Sequence, residues 1–390
     1  MPPAPPANAK GKQQVRPRSF LVGTQEVTEG GDYEATQTID GSQHQLQPWT
    51  LQATGWLRGL WLLCKGTGLT AGTATADAPW SVFASIELDD VNNEAIFGPF
   101  DGYSAYLANK YGGYQYVDDP GVSSIYALSG TTSTNNFTFA LWIPLEIVAR
   151  DPLGPVASVN NTASLTLRMT TAAVSSVFTT TTGTLSLNVK GTQSFYWEPK
   201  TADKAGNPIS GAPPAAGTTQ YWTQGSIPLA GSGVINQQLI TGLGYPFREY
   251  LFVQRDETGS RAQGETEFPD PLIGLKFEAN MLLSNLPKTL WQHMMATVTG
   301  YTNSNNDNRG AGTVPGKENG VYALFFNNDF AFRKPGSETR RKYLTTSPGS
   351  NFIFNGAVGG AGNLYQLVNY VAPGGGVVGA GNTAALTGGR

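Results

Sequence analysis

The sequence predicts an all-β protein built as two consecutive antiparallel sandwiches, and three observations carry that prediction. Charged residues fill 14% of the 390 positions, against about 25% in an ordinary globular chain, while Gly reaches 48 and Pro 25. Such a composition favours many turns and leaves few of the charged, straight-chain residues that cover helix surfaces. Apolar residues recur at every second position within short segments, the period of a half-buried strand. A break at residues 200–220, KTADKAGNPISGAPPAAGTTQ, is rich in Gly, Pro and Ala and divides those segments into two similar sets.

Residues 1–18, MPPAPPANAKGKQQVRPR, read as a flexible basic arm with Lys10, Lys12, Arg16 and Arg18 and no acid before Glu26. The arm carries too little apolar surface to offset its own ordering, so it is expected to meet an anionic surface or a neighbouring chain. It has no apolar stretch of the signal-peptide kind, and no run of about 18 apolar residues occurs elsewhere.

The first sandwich is expected over residues 19–199. Its strands are predicted at 19–28, 54–70, 81–90, 95–100, 164–172 and 183–199, with Trp56, Trp61 and Leu63 on one face of the second. Tyr103, Tyr106, Leu107 and Lys110 recur at helical spacing and predict a short helix over 102–112. Residues 137–149 form the longest apolar run, interrupted only by Thr138 and Glu146, with Pro144 inside it. A strand buried on both faces, between its own sandwich and a neighbouring domain, has this pattern, and Pro144 then belongs at a bulge or sheet edge. Phe139, Trp142, Pro144 and Leu145 are the expected packing residues of that strand.

Residues 221–372 repeat the plan. Strands are predicted at 249–257, 272–283, 294–301, 319–332, 351–358 and 364–372, and a short helix at 286–294. Residues 373–390 form a Gly-rich tail. Seven to nine strands per half fit two sandwiches, and eight is the count of a jelly roll.

Chemistry is sparse. A net charge of −3 argues against sequence-specific nucleic-acid binding. One cysteine, Cys64, excludes an intrachain disulfide. A Ser-His-Asp or Cys-His mechanism would need His44 or His293, which sit in a polar turn and a short helix. Carboxylate pairs that would suit glycoside hydrolysis are Glu87 with Asp89 and Glu265 with Glu267, although acids at strand ends and loops are more simply solvated. The oxygen-rich stretches 89–94 and 303–310 lack the Gly of a calcium loop and read as turns. Gly374, Gly376 and Gly379 match a dinucleotide-loop pattern without its strand and helix, and 333–342 reads as a solvated basic loop. No catalytic, cofactor-binding or metal residue is therefore assigned, and the chain is expected not to be an enzyme. The rival is a two-domain carbohydrate-binding protein or glycosidase, with aromatic platforms at 111–116 and 220–225.

Within FTFALWIPLEIVARDPLGPVASVNNTASLTLRM, the Trp142-Ile143-Pro144-Leu145 motif lies between two strand patterns. This stretch resembles the major capsid proteins of tailless, internal-membrane phages, the tectivirus-like group of the PRD1–adenovirus lineage. GWLRGLWLLCKGTG, SIELDDVNNEAIFGPFDGYSAYLANKYGG and GVYALFFNNDF resemble further segments of that family in the same order. The resemblance implies a double jelly roll standing upright in an icosahedral shell, with homotrimers forming pseudo-hexagonal capsomers. It also implies contacts with neighbouring capsomers, with penton or vertex and minor capsid proteins, and with an internal membrane through the arm. The virion, assembled in the host cytoplasm, would be its location, and no cofactor is implied.

Overall fold

The computed structural model describes residues 20, 24–53, 55–114, 136–147, 154–157, 164–197, 218–241, 243–262, 273–299, 318–326 and 343–373. The cations Lys10, Lys12, Arg16 and Arg18 lie outside these residues, as do 200–217 of the expected linker and 374–390 of the tail.

The first half forms β1 (Glu26–Ile39), β2 (His44–Gln45), β3 (Trp49–Thr50), β4 (Trp56–Ala74), β5 (Phe83–Asp89), β6 (Ala95–Phe100), β7 (Phe137–Pro144), β8 (Val156–Ala157), β9 (Thr166–Thr171) and β10 (Phe178–Tyr196). Helices α1 (Gly102–Tyr111) and α2 (Val174–Val177) interrupt them. The second half forms β11 (Thr218–Leu229), β12 (Gly233–Gln238), β13 (Phe247–Asp256), β14 (Ile273–Phe277), β15 (Asn280–Leu286), β16 (Val321–Phe325), β17 (Phe352–Val358) and β18 (Gly362–Pro373), with helix α3 (Lys288–Thr299).

Three sheets result. One outer sheet runs β1-β10-β4-β7, with β8 paired to β4, and the other outer sheet runs β12-β17-β14-β15. Between them a nine-stranded sheet runs β16-β13-β18-β11-β6-β5-β9-β2, with β3 paired to β9. Each half thus contributes one outer sheet and part of the central one, which makes two sandwiches side by side. The halves meet where β11 and β6 pair in parallel, at Trp222 and Phe97. Ring contacts close each sandwich across its layers: Phe83 on β5 meets Phe139 on β7 at 6.4 Å, and Tyr250 and Phe252 on β13 meet Phe352 and Phe354 on β17 at 5.3 and 6.0 Å.

Several segment boundaries differ from the expectation. β1 begins at Glu26 and runs to Ile39, beyond the predicted 19–28. The 272–283 segment is a hairpin, β14 and β15, turned through Glu278 at φ 54°. Residues 294–299 are helix rather than strand, because Trp291, Met295 and Thr299 recur every fourth position on the buried side of α3.

Candidate functional site: the junction of the two sandwiches

Helix α1 lies where the sandwiches meet, and all ten of its residues are buried. Asp101 caps its start by accepting from the Ser104 N–H at 2.6 Å. Its last turn reaches the second half: Lys110 Nζ lies 3.4 Å from Glu318, whose carboxylate also accepts from the Tyr111 hydroxyl at 3.1 Å. Just beyond the helix, the Gly112 carbonyl accepts from Arg248 Nη2 at 2.8 Å, and Arg248 is itself beside Glu249 and Asn369 at 3.3 Å each. Burial of so many charges is tolerated only because each has a partner.

The long apolar run meets this helix. β7 is an edge strand, and its last residue, Pro144, stands opposite Gly59 of β4. No ladder hydrogen bond is lost there. The outward backbone groups of Trp142 are satisfied by one side chain of α1. Asn109 accepts from the Trp142 N–H at 2.6 Å and donates to the Trp142 carbonyl at 2.7 Å. The second half supplies the next contacts, with Thr219 donating to the Leu145 carbonyl at 3.1 Å and Gln220 donating to that of Glu146. Phe139, Trp142, Pro144 and Leu145 are all buried.

Glu146, the one acid in the run, faces Arg58 of β4 through two hydrogen bonds of 2.8 Å. Arg58 also bonds Glu26 and lies 4.8 Å from the Tyr196 ring. Burial alone would favour a neutral guanidinium, but the hydrogen bonds and charge of Glu146 outweigh it and raise the Arg58 pKa.

A cavity of about 540 Å³ opens at one end of the junction. Arg255 and Arg261 from the second half line it and close on Asp77 from the first, at 2.5 and 2.6 Å. Asp101 lies 3.5 Å from Arg255. Burial works against ionisation of Asp77, yet the two arginines hold its carboxyl below the usual carboxylate range.

The groups weighed for catalysis do not come together. His44, half-buried at the start of β2 in the first half, hydrogen-bonds Asp40 at 2.9 Å, while His293 is exposed on α3 of the second. Cys64 is buried in the first core, where burial pushes its thiol well up. Asp89 is buried and paired with Arg168, and Glu87 stands opposite the same arginine in register. Glu265 and Glu267 lie outside the described residues. In the supposed aromatic platforms, Tyr111, Tyr114 and Trp222 are buried, so their faces are not presented to a sugar. Asp90 organises the 89–94 turn, accepting from the N–H groups of Asn92 and Glu94 at 2.7 and 2.9 Å. Among the described residues no three metal-ligating side chains gather. No described helix is long and apolar enough to cross a membrane.

Two sandwiches joined edge to edge, of ten strands in the first half and eight in the second, form the double jelly roll that was expected. No protein-family profile matches the chain, and no curated protein sequence is detectably similar to it. Solved structures are similar in fold. The atomic structure of Sulfolobus turreted icosahedral virus gives a TM-score of 0.57 at 12% identity, covering 90% of this chain and 91% of that one. The crystal structure of the STIV MCP gives 0.56 at 14% identity, covering 90% and 97%. The major capsid protein P2 from bacteriophage PM2 gives 0.52 at 7% identity, covering 90% and 98%.

Proposed function

We propose that this chain is a non-enzymatic major capsid protein of a tectivirus-like phage, and that its activity is self-assembly. Three copies form a capsomer in which six sandwiches approximate a hexagon, and capsomers tile an icosahedral shell over an internal membrane. The observation that carries this reading is the union of the two sandwiches into one body, through a continuous nine-stranded sheet and the buried ion pairs of the junction. A chain that must supply two adjacent corners of a hexagon needs its sandwiches held at a fixed mutual angle. The fold likeness to viral capsid proteins over 90% of the chain supports the same role.

In this reading the arm cations Lys10, Lys12, Arg16 and Arg18 face inward, toward anionic headgroups or adjacent copies. Each cation near such a surface contributes roughly 1 kcal/mol. Neighbouring capsomers, vertex proteins and minor capsid proteins are the remaining partners in the virion, which assembles in the host cytoplasm. Light scattering on the purified chain, with negative-stain imaging of the same sample, tests the reading. A stable particle near three times 41.4 kDa with a hexagonal outline is expected. A monomer would overturn it and return attention to glycan binding.

A further inference from the structure

Two large apolar side chains on the outer face of the first sandwich are left exposed, with no described strand packed over them. Trp61 is 39% exposed and Leu63 45%, two positions apart on β4. Trp61 stands opposite Trp142 in register, with ring centroids 4.7 Å apart and the planes tilted by 43°. Exposed Lys65 and the Lys190–Glu34 pair, at 3.3 Å, border this face. An exposed indole tilted over a second, buried one, beside an exposed aliphatic side chain and with a polar rim, is the kind of surface that receives a polyproline II segment.

The chain carries a proline-rich stretch at residues 2–6, and the first described residue after it lies on this face. Phe20 is 3% exposed because its ring packs edge-on against Trp56 and Tyr196 at 5.9 and 5.4 Å. Trp56 and Tyr196 are register partners and belong to the outer face that also carries Trp61. Phe20 therefore sits on the outer face of β4 and β10. From Trp56 to Trp61 the strand advances about 17 Å. From Phe20 back to Pro6 are 14 residues, able to span up to about 46 Å. Residues 2–6 are Pro-Pro-Ala-Pro-Pro, whose fixed φ angles reduce the conformational freedom lost on docking.

We infer that residues 2–6 dock on the outer face of the same chain's β4, against Trp61 and Leu63. Tethering sets an effective concentration on the order of millimolar, so weak stacking contacts suffice. The docked segment covers the exposed tryptophan and leaves the stretch with Lys10, Lys12, Arg16 and Arg18 between two anchored points. This inference concerns the single chain and does not rest on the capsid reading.

Hydroxyl-radical footprinting, read by mass spectrometry, tests it on the full chain and on a variant lacking residues 2–6. Oxidation of Trp61 is expected to rise several-fold in the deletion, while Trp197, 48% exposed, serves as the internal reference. Replacing the four prolines by serine should have the same effect as the deletion, and a synthetic peptide of residues 1–12 should restore protection to the deletion variant. Equal Trp61 oxidation in full chain and deletion would overturn the inference, as would full protection by the serine variant. Protection that disappears on dilution would assign the face to a second copy and also overturn it.

Discussion

Asp77 ties the sandwiches together through a single carboxylate that meets two arginines of the other half. Its pKa is lower folded than unfolded, so the stability it contributes is complete at neutral pH. That contribution disappears as pH falls through the folded value, below the ordinary value of about 4. Asp77→Asn keeps the shape and removes the carboxylate that both arginines share, so that Arg261 loses its ion pair and Arg255 keeps only Asp101. A loss of roughly 3 kcal/mol is expected near pH 7. Thermal melts across pH should show parent and variant converging in acid, and a pH-independent gap would contradict the assignment. Asn109 acts by hydrogen bonding alone, standing in for the missing neighbour strand of β7. Asn109→Ala strands one buried donor and one buried acceptor, for an expected cost of roughly 3 kcal/mol in urea unfolding. Glu146 was visible in the sequence only as an interruption. Its partner Arg58 lies 88 positions earlier, and no local pattern links the two.

At the scale of elements, β4 shows what local pattern can and cannot disclose. Trp56, Trp61 and Leu63 do share one face, although Trp56 and Trp61 are an odd number of positions apart. The register against β10 moves from Leu57–Phe195 to Gly59–Ser194, and this bulge shifts the alternation by one residue. Gly59 sits in the bulge because a Cβ there would lie 2.4 Å from the Trp142 ring and 2.5 Å from the Ile143 carbonyl oxygen. Gly59→Val should force β7 off β4 and cost roughly 3 kcal/mol, with the Trp142 fluorescence spectrum shifting toward that of exposed indole. The strands with clean alternation, β5, β6 and β9, and the helix α1 were legible from periodicity. β11 and β12 were not. β11 reads as polar because Thr219, Gln220, Gln224 and Pro228 dominate it, yet it occupies the middle of the nine-stranded sheet between β18 and β6. Its buried polar side chains are justified by distant partners such as Tyr114 and Asn369, which sequence alone does not pair with it. Residues 294–299 failed in the opposite way, since Thr297, Val298 and Thr299 favour strands locally but tertiary burial at every fourth residue decides for helix.

At the scale of the whole molecule, the sandwiches and the arm divide two tasks that assembly requires. The ion pairs and the capping side chain that hold the junction are made by Asp77, Asn109, Lys110, Arg261 and Glu318, all of them after residue 18. Removing the arm therefore leaves every described junction contact in place, and the trimer proposed for this chain should still form, lighter only by the three missing arms. What the arm adds is four cations ahead of the first strand, a feature suited to an anionic surface or to a neighbour and unnecessary for folding. Deletion of residues 1–18 is expected to yield intact trimers that fail to close shells or to enclose membrane. Light scattering of the purified variant separates this from a folding defect, and electron microscopy of particles from infected or co-expressing cells reads the assembly step. Normal membrane-filled particles from the truncated chain would show that the sandwiches alone carry the lattice and that the arm has no part in building it.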